Sequence, residues 1–315
     1  MKRILVLILV ALLVLSSCCV VAEDDKWADG IVIGYSELQA SGAFGIAQKA
    51  DVYKYAEEYG AQIVFADADN DVSKQLADLE DFVAQGVDYI FIHAVDLNGY
   101  DTAIDMAKEA GIPIILLARE INAEAGEDYA CYICSDGVWE GAAGMHAIAK
   151  ACGEDCKVIE LTGQMGSSIG EERSKGFNDC LTQNYPNATL VASQTGNFAR
   201  TEAQSVMENL IQSTGGDFDA VFAANDEMAL GALQACRAAG LDDVVIIGVD
   251  AQKSALDSIA AGGLYGTVTH SPLTGWWGFW CVKQIENGLD VPIKIVRKEH
   301  VITRDNIDDM WDYAI

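Results

Sequence analysis

The stretch from Gln62 to Ile92 reads QIVFADADNDVSKQLADLEDFVAQGVDYIFI. Two short apolar runs, Gln62-Ile63-Val64-Phe65 and Tyr89-Ile90-Phe91-Ile92, enclose a segment of helical periodicity from Val72 to Gln85. The runs are continuously apolar rather than alternating, which marks strands covered on both faces, as in a parallel sheet. Asp71 to Ser73 supplies helix-start chemistry, and Gly86 is the glycine a helix prefers just past its end. The segment is one strand–helix–strand unit.

Outward from it, the unit repeats. Ile31–Tyr35 precedes a helical segment from Phe44 to Tyr59, and Gly99–Ala110 leads to the run Ile114–Leu117. A second set follows: strands at Lys157–Leu161, Leu190–Ser193, Ala220–Ala223 and Val244–Ile247, alternating with helices at Ser168–Tyr185, Thr201–Ser213, Glu227–Ala239 and Lys253–Ala261. This rhythm predicts α/β architecture with two doubly wound parallel sheets and right-handed crossovers. A chain of 315 residues exceeds the ~250–300 at which one core stops growing, so two domains are expected. No Pro- or Ser-rich linker separates the halves, which suggests strands that cross between them. Ligands of open α/β sheets sit beyond the carboxyl ends of the strands, so the site belongs in the cleft between two such sheets.

Composition narrows the function. There are 48 Asp and Glu against 20 Lys and Arg, a formal charge of −28. Phosphate backbones and anionic lipid headgroups repel such a chain, so a nucleic-acid partner is excluded. With 51% hydrophobic residues the chain is globular rather than disordered. Enzyme signatures are lacking: no Gly-x-Gly-x-x-Gly follows the first strand, and there is neither a phosphate-binding Gly-x-x-x-x-Gly-Lys nor a Gly-x-Ser-x-Gly elbow. The four histidines have no metal-ligand spacing. Neither a cofactor nor a metal is expected.

The first residues read as an export signal. Met1-Lys2-Arg3 is basic, and Ile4 to Leu15 is an uncharged apolar run too short to span ~30 Å of hydrocarbon. Leu15-Ser16-Ser17-Cys18 resembles a bacterial lipobox, which implies a signal peptide at 1–17, lipidation of Cys18 and a tether over 18–29; cleavage after Ala22 is the alternative. Beyond Cys18 and Cys19 seven cysteines remain. Cys131-Tyr-Ile-Cys134 sits in a strand-like run, not at a helix start that would lower a thiol pKa, and reads as structural. Cys152 and Cys156 flank a short loop and are the pair expected to form a disulfide.

Several side chains at strand ends suit a polyhydroxyl ligand, which needs charged and amide groups at its rim and aromatic rings on its faces. Arg119 follows one strand, Asn225-Asp226 another and Asp250 a third, while Arg173 lies in a helix after Leu161. Phe44 and Phe198 fall in loops or helix starts. Taken singly, Asn225 and Asp250 are equally good helix caps, and Arg119 could pair with Glu120 or Glu124.

Together these residues carry a resemblance over nearly the whole chain after residue 30. Phe222-Ala-Ala-Asn225-Asp226-Glu-Met-Ala-Leu-Gly231-Ala resembles the asparagine–aspartate block of periplasmic sugar-binding proteins of the ribose-binding type. Gly248-Val249-Asp250 is similar to their Gly-Phe-Asp, and Arg173-Ser-Lys-Gly176-Phe177 to their Arg-x-x-Gly-Phe. Within that family, Phe82 to Ile92, Cys156 to Gly163 and the spacing from Gly34 to Gly60 resemble the galactofuranose-binding proteins of ABC importers. The resemblance implies ligand contacts at Arg173, Asn225, Asp250, Phe198, Arg119 and Phe44, the last where galactofuranose binders carry Trp. It adds Gln48 and His270 to the candidates, at positions where that group presents a Glu and the wider family a Gln. Ala118 departs from it, replacing the aspartate of an Asp-Arg pair.

The implied architecture is two Rossmann-like lobes joined by three crossings, near Asp136, near His270–Ser271 and near Gly288–Val291. The first lobe would hold residues 30–136 and 271–290, the second 137–270 and 291–315. The implied function is a monomeric, non-enzymatic, lipid-anchored protein in the periplasm or on the outer envelope. It would capture a monosaccharide by hinge closure and deliver it to an ABC permease, or present it to a chemoreceptor or sensor kinase.

Overall fold

In the computed structural model, residues 26–315 are described; the signal-peptide and Cys18 readings lie outside them. Twelve strands form two six-stranded sheets, ordered β11-β5-β4-β3-β1-β2 and β12-β10-β9-β8-β6-β7. In the first sheet the strands are β1 (Val32–Glu37), β2 (Gln62–Asp67), β3 (Tyr89–Ile92), β4 (Ile114–Leu117), β5 (Cys131–Ser135) and β11 (Lys294–Arg297). The second holds β6 (Lys157–Thr162), β7 (Thr189–Thr195), β8 (Ala220–Ala223), β9 (Val245–Asp250), β10 (Gly266–Thr269) and β12 (Val301–Thr303). Every pairing is parallel except that of β10 with β12. The doubly wound α/β reading is correct.

Continuous apolarity has the predicted cause. Tyr89–Ile92, Ile114–Leu117 and Ala220–Ala223 are buried at every position, between helices on both faces. Among the described residues there are nine α-helices: α1 (Ala43–Tyr59), α2 (Val72–Gln85), α3 (Asp101–Ala110), α4 (Gly137–Cys152), α5 (Ser168–Asn184), α6 (Arg200–Thr214), α7 (Asp226–Ala238), α8 (Lys253–Ala260) and α9 (Gly275–Glu286). The Asp71 side chain caps α2 through the Ser73 and Lys74 amides, and Gly86 closes it in the left-handed conformation. In α9, Trp277 and Trp280 pack on the first-lobe core while Trp276 stays 40% exposed. No described helix is long and apolar enough to cross a membrane.

The chain crosses between sheets at residue 136, at 270–274 and at 298–300. The third crossing corrects the expectation of Gly288–Val291. Gly288 only turns the chain after α9 (φ 68°), and β11 then pairs with β5, so the first lobe keeps the chain to Arg297. All three crossings are tied by buried Glu299: Ser135 Oγ donates to Oε1 at 2.5 Å, and the Thr269 hydroxyl donates to Oε2.

The cysteines also differ from expectation. All seven among the described residues are thiols, so no disulfide joins Cys152 to Cys156. Cys152 ends α4 with its thiol turned back on the Ile148 carbonyl at 3.2 Å, and Cys156 packs into the second-lobe core. Burial pushes the Cys152 thiol up to about 12. Cys131 and Cys134 belong to cores on opposite faces of β5, which explains why their spacing makes no redox pair.

Candidate functional site

A cavity of about 130 Å³ lies between the lobes at the carboxyl ends of both sheets. It is small against the ~300–1,000 Å³ of sites for drug-sized ligands. Seven of the eight candidates line it: Phe44, Arg119, Arg173, Phe198, Asn225, Asp250 and His270. The eighth, Gln48, does not reach it. Fully buried behind the site, Gln48 donates to Thr274 Oγ1 at 3.1 Å and receives a bond from the Tyr35 hydroxyl at 3.5 Å.

The second-lobe wall begins with two glycines. A Cβ on Gly141 would stand 1.9 Å from the Arg173 carbonyl oxygen, and one on Gly176 1.9 Å from that of Val138. Only glycine lets α4 and α5 approach this closely, and the contact sets Arg173 Nε 2.7 Å from Glu140 Oε2. Arg173 also donates through Nη1 to the Ala224 carbonyl at 2.6 Å and through Nη2 to Asp250 Oδ1 at 3.4 Å. The other Glu140 oxygen accepts from His270 Nδ1 at 2.7 Å. Burial would raise Glu140, but the Arg173 charge and the hydrogen bonds from His270 and Arg173 outweigh it and hold the carboxyl below its usual range. Burial likewise opposes the Arg173 cation, and Glu140 and Asp250 more than restore it.

Asp250 ends β9 at φ 119°, followed by Ala251 at 61°. Its carboxyl is pushed up to about 6, chiefly by burial and against the pull of Arg173. It caps nothing: the N-cap of α8 is Gln252, which makes no side-chain cap bond. Asn225 does both jobs, accepting from the Met228 amide as the cap of α7 and donating to the Phe198 carbonyl. Asn197 and Phe198 are left-handed at 52° and 57°, so with Asp250 and Ala251 four strained positions border this wall. Asp226 sits behind, accepting from the Thr267 hydroxyl at 2.7 Å and the Gln252 amide at 2.8 Å.

The first-lobe wall differs. Arg119 ignores Glu120 and Glu124; its Nη1 donates to the Val95 and Ala94 carbonyls at 3.1 and 3.4 Å, and its guanidinium lies 5.4 Å over the Phe198 ring. No carboxylate of the described residues forms an ion pair with it. Burial, with the Arg173 charge adding to it, pulls Arg119 down to about 10. Ala118 beside it is left-handed at 63°. The Phe44 ring stands 5.5 Å from that of His93 and 5.3 Å from that of His270.

Sequence reasoning missed Glu37, His93, Gln252 and Glu227, which also line the cavity. Glu37 ends β1 and His93 directly follows β3, so the rule that ligands sit at carboxyl ends would have found both. Chemically, the cavity sets guanidinium donors against carboxylate and imidazole groups, with an aromatic ring on each side. Among the described residues, no Ser, Thr, Cys or Lys lines it to serve as a nucleophile. Among the described residues no group of His, Cys, Asp and Glu could hold a metal ion.

The sequence profile of the periplasmic binding protein domain matches residues 33–290. The ribose import binding protein of Bacillus subtilis is 36% identical over 279 residues, 86% of this chain and 88% of that protein. The galactofuranose-binding protein of Escherichia coli is 29% identical over 290 residues, covering 90% and 91%. The binding component of the arabinose ABC transporter from Shewanella sp. ANA-3, solved with α- and β-L-arabinofuranose, superposes with a TM-score of 0.86 at 31% identity, covering 89% and 94%.

Proposed function

The chain belongs to the periplasmic binding protein domain family, and we propose that within it this protein captures a monosaccharide for an ABC permease. The observation that carries the reading is the cavity between the lobes, where Arg173, Asp250 and Asn225 face Arg119 across two phenylalanine rings. A sugar ring has C–H faces for Phe44 and Phe198 and hydroxyls at its rim for the charged groups. The relatives named for ribose, galactofuranose and arabinofuranose support a single-ring ligand, and Ala118 leaves the choice among such rings to this chain's own residues.

The mechanism is hinge closure. A sugar that touches both walls binds the closed form better than the open one, so it shifts the equilibrium by that difference in affinity. The crossings at 136, 270–274 and 298–300, held by Glu299, would flex. The closed form then docks on the permease, and the proposal places a lipid on Cys18 as the tether.

A thermal-shift screen over monosaccharides in pyranose and furanose forms tests this. A ligand at 100 times its Kd adds about 2.7 kcal/mol of stability. One clear hit, lost in Asp250→Ala, is expected; no shift with any sugar would overturn the reading.

A further inference from the structure

Two rings of the cavity are held alike. His93 Nδ1 lies 2.6 Å from Glu37 Oε1, and His270 Nδ1 lies 2.7 Å from Glu140 Oε1. Both carboxylates are fully buried, and each has a second fixed partner: the Tyr35 hydroxyl on Glu37, and Arg173 on Glu140. A carboxylate oxygen accepts, so the ring nitrogen that faces it carries the hydrogen. In a neutral ring that leaves Nε2 as a lone-pair acceptor. Neither Nε2 has a partner among the described residues, neither is sealed off from the cavity, and both rings line it next to Phe44.

We propose that His93 and His270 determine the specificity of this site, each fixed by a buried carboxylate so that Nε2 accepts a hydrogen bond from one hydroxyl of the ligand. The inference rests on the sugar-binding reading and deepens it: the ligand is an uncharged polyol with hydroxyls at two positions next to the ring face that meets Phe44. Glu37 and Glu140 are positioning residues, acting through the imidazoles. His93 faces Glu37 from β1, Arg119 beyond β4 and His270; His270 faces Glu140 from α4 and Asp250 from β9. Burial also pulls the His93 pKa down, against Glu37, which favours the neutral ring. A deoxy ligand would leave a buried acceptor without a donor, which the site would reject by about 10- to 100-fold per hydroxyl.

Two measurements test it separately from the sugar reading. NMR of the ligand-free, 15N-histidine-labelled protein at neutral pH reads the tautomers directly. His93 and His270 are expected as neutral Nδ1–H rings; Nε2–H tautomers or imidazolium at these positions would overturn the inference without touching sugar binding. Titration with the sugar found in the screen, and with its monodeoxy analogues, reads the specificity. His93→Asn and His270→Asn keep a donor near the Nδ1 position for the carboxylate and delete Nε2. Each should weaken binding about 10- to 100-fold and remove the further penalty of one particular monodeoxy analogue. His93→Gln, whose amide oxygen can stand near Nε2, should recover part of the loss. Asn variants that bind like the wild type, or that keep every deoxy penalty, would sink the proposal. If the wild type binds no monosaccharide, the sugar reading fails, and the tautomers still decide the geometry.

Discussion

The two walls of the cleft bury an arginine each and treat it in opposite ways. Arg173 on α5 is held by Glu140, the Ala224 carbonyl and Asp250, and its charge is restored by carboxylates on either side. Arg119 after β4 has two backbone carbonyls, an aromatic face and no ion pair among the described residues, and burial pulls it down to about 10. A buried cation without a counter-charge weakens the empty fold, whereas a networked one supports it. The second-lobe wall is therefore complete before ligand arrives. Its counterpart is left with unspent donors, which only a ligand rich in acceptors can satisfy. Closure brings the ligand to both.

Breaking the networked side should have the largest effect. Arg173→Met leaves Glu140 and Asp250 buried without their cation, a loss of about 3–5 kcal/mol. Thermal melts should fall by on the order of 10 °C, with sugar binding lost. Arg119→Met is the matched substitution on the other wall. The depression of its pKa corresponds to roughly 3 kcal/mol of unfavourable burial, offset by the two carbonyl bonds. Its melting temperature should hold or rise while affinity drops about tenfold or more. Equal destabilisation by the two variants would erase the asymmetry.

The pH dependence sharpens the same contrast. The Asp250 carboxyl is raised from 3.8 to about 6 in the fold. A raised carboxyl binds its proton more tightly folded than unfolded, so its contribution is fully present below about pH 4 and is lost as pH climbs through 6. Asp250→Asn removes that slope. The variant should gain on the wild type in melting temperature between pH 4.5 and 7, even as it loses ligand affinity. A wild-type-minus-variant difference that stays flat over this range would mean that Asp250 does not titrate there.

How much of this was legible in the sequence follows the same division. On the second lobe, Arg173, Asn225 and Asp250 stood in motifs of fixed local spacing, because one helix start or one strand end sets each position. The first-lobe wall is assembled from residues far apart in the chain. Glu37 and His93 are separated by 56 positions and meet only because β1 pairs with β3 in register, Ile33 against Tyr89. Gln48 looked like a contact by position, yet the turn of α1 points it to Thr274 behind the cavity. The third crossing was misplaced for a related reason. Gly288 is an ordinary helix-ending glycine, and the four-residue edge strand β11 (Lys294–Arg297) is half exposed, without the continuous apolarity that announces a buried strand. Glu140 was silent as well, one carboxylate among many until two helices close on it.

Ala118 tests whether the incomplete wall is a choice of ligand or a defect of the fold. The residue adopts φ 63°, a conformation that costs an alanine about 1 kcal/mol and that aspartate tolerates better. Ala118→Asp would place a carboxylate next in sequence to the Arg119 guanidinium and relieve part of that backbone cost. If the missing ion pair were only a defect, the variant should gain about 1–2 kcal/mol and bind the same sugar as tightly. If the free guanidinium is what the native ligand uses, the added acceptor competes for it: the melting temperature rises by a few degrees, and affinity for the wild-type sugar falls about tenfold. Ala118→Gly separates the backbone from the charge. It relieves the left-handed strain without adding an acceptor, so stability should shift by less than about 1 kcal/mol with ligand preference unchanged. A changed preference in the glycine variant would show that loop conformation, not the absent carboxylate, sets the selectivity of this wall.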